Sequence, residues 1–112
     1  MYMKKYLGIY PKNNKEGCLQ DIHWFDGTFG YFPTYTLGAL YAAQLFAQVR
    51  KKIPNLSSQI SKGNFDNLIA WLRHNVHAKG SICNSEELIK NITGEQLNIE
   101  YFKKHLINIY LN

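Results

Sequence analysis

Two prolines, Pro33 and Pro54, bracket the feature that most limits the fold of this chain. Between them Leu37, Leu40, Tyr41, Gln44, Leu45 and Val49 recur at three- and four-residue intervals. That recurrence lines up on one stripe of an α-helix and on no single face of a strand. Pro33 suits the first helical turn, where its missing N–H costs nothing, and Pro54 disfavours helical backbone at the residue before it. The helix is therefore expected to run from Pro33 to about Lys52. So long an amphipathic helix must have its stripe covered, and the rest of the sequence offers further helices to cover it.

Met3 to Leu7 reads as the last turn of a helix closed by Gly8, followed by an irregular loop carrying Pro11, Asn13, Asn14 and Gly17. Cys18 to Trp24 is expected as a short helix that presents Gln20, Asp21 and His23 near one another before Asp26-Gly27 turns the chain. Asn55 or Ser57 starts another short helix ending at Gly63. Asn64 then caps a run in which Phe65, Leu68, Ile69, Leu72 and Val76 share a face, with Gly80 as its end. Asn84 or Ser85 opens a segment from Glu86 to Ile92, whose acidic first turn complements the helix dipole and which Gly94 closes. Asn98 caps a final helix with Ile99, Phe102, Leu106, Ile109 and Tyr110 as its buried positions. A strand through Gly27-Thr28-Phe29-Gly30-Tyr31 competes only there, weakened by its glycines. The fold class is all-α: a single helical domain over residues 1–112, with its core formed by the three longer helices.

Composition narrows the function classes. Apolar content of 46% with 19% charged residues fits a globular chain rather than a disordered one. No window approaches the roughly 18 apolar residues of a membrane span, and the N-terminus lacks a secretory apolar region. The expectation is a cytoplasmic protein with no membrane partner. Cys18 and Cys83 lack a Cys-x-x-Cys spacing and are expected as reduced thiols. The formal charge of +5 is scattered through pairs such as Lys4-Lys5, Lys51-Lys52 and Lys103-Lys104, so no nucleic-acid partner is expected.

Chemistry concentrates in Leu19-Gln20-Asp21-Ile22-His23-Trp24 and Gly30-Tyr31-Phe32-Pro33-Thr34-Tyr35. Polar-tipped aromatics beside an imidazole and a carboxylate suit a surface that grips something polar, because rigid rings lose little entropy on engaging a ligand. The segment reads as an active-site wall. The structural alternative is that His23 and Trp24 pack a turn and the tyrosines are half-buried core residues.

These motifs resemble the carboxypeptidase Taq family of zinc metallocarboxypeptidases. In that family Leu-Gln-Asp-x-His-Trp leads into Gly-Tyr-Phe-Pro-Thr-Tyr and a helix, matched here by Leu37-Gly38-Ala39-Leu40-Tyr41-Ala42-Ala43-Gln44-Leu45. The resemblance continues through Trp71-Leu72-Arg73, His77, Gly80, Glu86-Glu87-Leu88-Ile89 and Thr93-Gly94-Glu95. It implies the helical C-terminal portion of a larger all-α enzyme that removes C-terminal residues from peptides. The family's His-Glu-x-x-His helix and later Glu, which supply zinc ligands and general base, have no counterpart here. Zinc is thus implied for the full-length enzyme and none is expected in this chain, which is expected to be inactive alone.

By resemblance, His23, Tyr31 and Tyr35 are the catalytic candidates, and Gln20, Asp21, Tyr31 and Tyr35 the substrate-binding ones. His23 would donate to a tetrahedral intermediate or to a substrate carbonyl, with Asp21 orienting its other nitrogen if geometry allows. The tyrosine hydroxyls would bind the substrate carboxylate or the oxyanion. Implied partners are the peptide C-terminus, the upstream catalytic portion, and a second copy in a homodimer. The alternative is a non-enzymatic helical interaction module or gene remnant that self-associates or binds a protein through exposed aromatics. His74 and His77 share an i, i+3 spacing but lack a third ligand, so no metal site is assigned to them.

Overall fold

In the computed structural model, which describes residues 2–111, every regular element among those residues is a helix. The chain divides into two compact units, one ending at Tyr35 and the other beginning at Thr36.

The first unit opens with α1 (Tyr2–Leu7), closed as expected by Gly8, whose φ of 70° suits only an unbranched backbone and whose N–H donates to the Lys4 carbonyl. The Asn13 side chain then accepts the Glu16 N–H and caps a single 3₁₀ turn, Asn14–Glu16. The helix expected over Cys18 to Trp24 is broken in two. Cys18–Gln20 forms a 3₁₀ turn, and α2 (Ile22–Phe25) follows. Asp21 between them is extended, and its carboxylate accepts the His23 N–H. A residue that caps the next helix leaves the previous one, so a short-range side-chain bond overrides helical continuity. The stretch considered as a strand is instead a turn, with the Tyr31 N–H donating to the Thr28 carbonyl and Gly30 at φ 77°.

Helix α3 (Pro33–Lys52) begins and ends where the prolines dictate. From Thr36 onward come the rest of α3, then α4 (Leu56–Ser61), α5 (Asp66–Asn75), α6 (Ser85–Thr93) and α7 (Glu100–Tyr110). The expected caps Asn64 and Asn98 lie one residue before the actual N-cap positions, Phe65 and Ile99, whose side chains make no capping bond; each Asn still accepts the first helical N–H, that of Asp66 and of Glu100 (3.0 Å) respectively. Asn84 and Glu87 form a reciprocal capping box at the start of α6. Gly94 ends α6 at φ 84° with its N–H on the Lys90 carbonyl. Helix α5 stops at Asn75, short of Gly80, and the residues between tighten into a 3₁₀ turn, His77–Lys79.

The core of this second unit lies elsewhere than the three longer helices suggest. Its fully buried side chains are Gln44 and Val49 on α3, Leu56 on α4 and Ile89 on α6. Helices α5 and α7 contribute none. Ile99, just before α7, and Leu106, Ile109 and Tyr110 on it are exposed, and only Phe102 of the expected buried set is partly covered. Leu37 at the start of the α3 stripe is exposed as well. Periodicity correctly shows which face of each helix is apolar, but a face is buried only where another element meets it.

Gln44 is buried at 1% exposure without leaving a polar atom orphaned. Its Nε2 donates to Thr93 Oγ1 (3.0 Å) and to the Gln96 carbonyl (3.1 Å), while its Oε1 accepts the Asn98 N–H (2.8 Å). One side chain thereby ties α3 to the loop between α6 and α7. Gln48, one turn on, donates to the Ile92 carbonyl. Tyr101, in the first turn of α7, donates to Glu95 of the same loop, whose other oxygen accepts from Asn98. Those bonds hold the Glu95 carboxyl below its ordinary value, chiefly through Tyr101 and then Asn98, and in turn push the Tyr101 hydroxyl up.

Candidate functional site

Three of the sequence candidates meet in one hydrogen-bonded chain within the first unit. The break at Asp21 creates it: by capping α2, the Asp21 carboxylate is held where the His23 ring also reaches it, with Nδ1 at 2.6 Å from the same Oδ1 that accepts the His23 N–H at 3.0 Å. The other ring nitrogen, Nε2, lies 3.1 Å from the Tyr35 hydroxyl. The turn after α2 brings Tyr35 there. The Thr28 N–H closes back on the His23 carbonyl at 2.8 Å, and the first turn of α3 is pinned by Thr34, whose N–H and hydroxyl both donate to the Tyr31 carbonyl.

Aromatic rings fix the imidazole from the remaining sides. Tyr31 stacks on its face, with centroids 5.3 Å apart and planes 24° from parallel. Phe32 and Tyr35 meet it edge-on, each with centroids at 5.6 Å. Tyr31 and Phe32 in turn pack edge-on against Tyr35. The His23 side chain is left only 18% exposed and that of Asp21 27%, whereas Tyr35 is 56% exposed. A confined imidazole thus ends in an open hydroxyl carried on a braced ring.

The bond to His23 lowers the Asp21 carboxyl below its ordinary value of 3.8, helped by the His23 N–H and opposed by partial burial. A lowered folded value means that the ionised carboxylate contributes its stabilisation in full above pH 3.8, and that this is lost as pH falls through the folded value. The expected result is a carbon-detected titration of the Asp21 carboxyl with a midpoint below 3.8 in the wild type. A His23→Ala variant should return it towards 3.8, and an unmoved midpoint would show that His23 is not the cause.

Of the other two candidates, Tyr31 joins this cluster through its ring, whereas Gln20 turns away from it, its side chain donating to the Lys15 carbonyl. Trp24 turns to Phe29 instead, at 5.3 Å between centroids. Phe32 belongs to the site although no role was assigned to it, and its place between two tyrosines of one motif was the available signal. Cys18 and Cys83 are both free thiols. Among the described residues no group of three or more His, Cys, Asp or Glu side chains is placed to hold a metal ion. The described residues therefore offer no ligand set for a catalytic zinc. Among the same residues no helix is long and apolar enough to cross a membrane.

Comparison with known proteins places this geometry in context. The family described as Carboxypeptidase Taq (M32) metallopeptidase matches residues 1–110. The chain is 46% identical over 109 residues to thermostable carboxypeptidase 1 of Pyrococcus furiosus, covering 97% of this chain and 22% of that protein. It is 43% identical over 107 residues to carboxypeptidase 1 of Bacillus subtilis, covering 96% of this chain and 21% of the relative. The solved structure of Trypanosoma cruzi metallocarboxypeptidase 1 superposes with a TM-score of 0.93 at 43% identity, over 98% of this chain and 23% of that one. The chain therefore spans about a fifth of the length of the curated relatives it matches.

Proposed function

Because this chain belongs to the carboxypeptidase Taq metallopeptidase family, we propose that it is the C-terminal portion of a zinc-dependent carboxypeptidase and supplies one wall of the cleft in which peptides lose their C-terminal residue. The observation that carries the reading is the bonded chain Asp21, His23, Tyr35, which ends in an exposed hydroxyl beside the Tyr31 ring. Hydrolysis of a peptide bond passes through a tetrahedral oxyanion, and the substrate brings a second negative group, its terminal carboxylate. Both call for preorganised donors, which lower the barrier because they need not reorganise as charge develops. Tyr31 provides a hydroxyl donor on a braced ring, Tyr35 provides a second when its O–H turns outward, and His23 positions Tyr35 and sets the direction of that O–H. Asp21 acts through His23 as a positioning residue.

Zinc and its general base are assigned to the part of the enzyme outside this chain. The upstream portion is accordingly its partner, and the apolar faces left open on α3 and α7 give that portion something to pack against. Two measurements test the assignment together. The isolated chain, supplied with zinc, is expected to show no hydrolysis of acyl-dipeptides. A chimaera in which this chain replaces the 22% it matches of the Pyrococcus furiosus carboxypeptidase is expected to hydrolyse them. Chelator-sensitive turnover by the chain alone, or a folded but dead chimaera, would sink the proposal.

The exposure of Tyr31, Phe32 and Tyr35 also favours a second reading, a non-enzymatic module that self-associates through this patch. It requires oligomers that Tyr35→Ser disperses, and a monodisperse monomer by light scattering removes it.

A further inference from the structure

We propose that Asp21, His23 and Tyr35 form a carboxylate-binding site that takes up one proton as it fills, an inference that rests on the cleft-wall reading and adds to it how the wall tells a filled state from an empty one. The reasoning begins with what each atom can do. An ionised carboxylate only accepts, so Asp21 Oδ1 at 2.6 Å assigns the proton of a neutral imidazole to Nδ1. Nε2 is then bare, and the hydroxyl 3.1 Å away must be the donor: the Tyr35 O–H points inward at His23. The outward side of that hydroxyl offers only lone pairs, and the three groups together carry one negative charge. A ligand carboxylate, itself only an acceptor, finds nothing to bind there.

Adding one proton from solvent to Nε2 reverses the second bond. The imidazolium N–H donates to the Tyr35 oxygen, the O–H turns outward, and the charge of the three groups rises from minus one to zero. The site now offers a donor backed by an imidazolium, and the face of the Tyr31 ring stacked on that imidazolium accommodates its charge. The titratable groups facing the ring are Asp21 from its own segment and Tyr31 and Tyr35 from the segment that closes over it, while Phe32 brings no charge. No heavy atom need move by more than a hydrogen-bond adjustment, since the switch is the direction of one bond.

The test uses the whole 112-residue chain and acetate as the probe, with imidazole nitrogen and Tyr35 ring signals followed by NMR at constant ionic strength over a range of pH. Below the imidazole midpoint acetate is expected to shift the His23 and Tyr35 signals saturably. Above it the affinity is expected to fall about tenfold per pH unit, the slope for one coupled proton. Neutral His23 is expected to show the Nδ1–H tautomer. Tyr35→Phe, which keeps the ring and removes the O–H, is expected to weaken acetate binding at low pH at least about tenfold. His23→Gln is expected to abolish the slope. Acetate binding that is flat with pH, or that survives intact in Tyr35→Phe through general attraction to the imidazolium, overturns the proposal. So does the absence of any acetate response. None of these outcomes touches the cleft-wall assignment, which stands or falls with turnover by the chimaera.

Discussion

Tyr35→Phe in the chimaeric carboxypeptidase is expected to lower kcat/KM by about 10²- to 10³-fold, the usual cost of removing one preorganised donor from a developing oxyanion. The geometry makes the substitution clean. The ring edge still meets His23, Tyr31 and Phe32, so the aromatic cluster persists, and only the hydroxyl at 3.1 Å from Nε2 disappears. Because that ring is more than half exposed, stability should stay within about 0.5 kcal/mol of the parent. The split between kcat and KM distinguishes the two jobs left open for the hydroxyl. A fall mainly in kcat assigns it to the oxyanion, and a rise mainly in KM assigns it to the ground-state carboxylate. A folded variant with parental kcat/KM would remove Tyr35 from the site.

Gln44→Leu should produce the largest loss of stability, about 2–4 kcal/mol, out of the roughly 5–15 kcal/mol that holds a domain of ordinary stability together. Leucine matches the volume approximately and is well suited to a helix and to burial, so a purely apolar account of the α3 stripe expects no loss. The hydrogen bonds say otherwise. Without the amide, the Asn98 N–H and the Gln96 carbonyl lose their partner, and a polar group stranded away from water costs about 1–3 kcal/mol. At a urea dependence of about 2 kcal/mol per molar the midpoint should drop by about 1–2 M. A shift under about 0.3 M would mean that water reaches these groups when the glutamine is gone.

Both positions show what a pattern of residue types conveys and where it stops. Spacing alone placed Gln44 on the apolar stripe of α3, and it is indeed buried there, yet its partners lie about fifty residues away in a loop that no local rule connects to it. The motif around His23 and Tyr35 pointed to residues that the fold does bring together, because polar-tipped rings so close in sequence have few uses. Their mutual geometry depended on Asp21 leaving the helix, which a reading of helix continuity did not foresee. The choice was local but a competition: a carboxylate at that position can solvate in a helix or cap the next one, and in the fold it caps. Gln20 shows the reverse, a residue of the same motif whose side chain the loop at Lys15 holds outside the relay.

By itself, the sequence determined the elements whose causes lie within a few residues. The limits of α3 follow from two prolines, the start of α6 from Asn84 and Glu87, its end from Gly94, and the entry to α7 from Asn98. It also determined the family, because long motifs carry that information without any coordinates. Only the tertiary structure decided which apolar faces are covered, leaving those of α3 and α7 partly open, and only it joined Asp21, His23 and Tyr35 into one relay. The physical reason is the same in each case. Helix formation is a contest among neighbours along the chain, whereas burial and hydrogen-bond direction depend on what arrives from elsewhere in space.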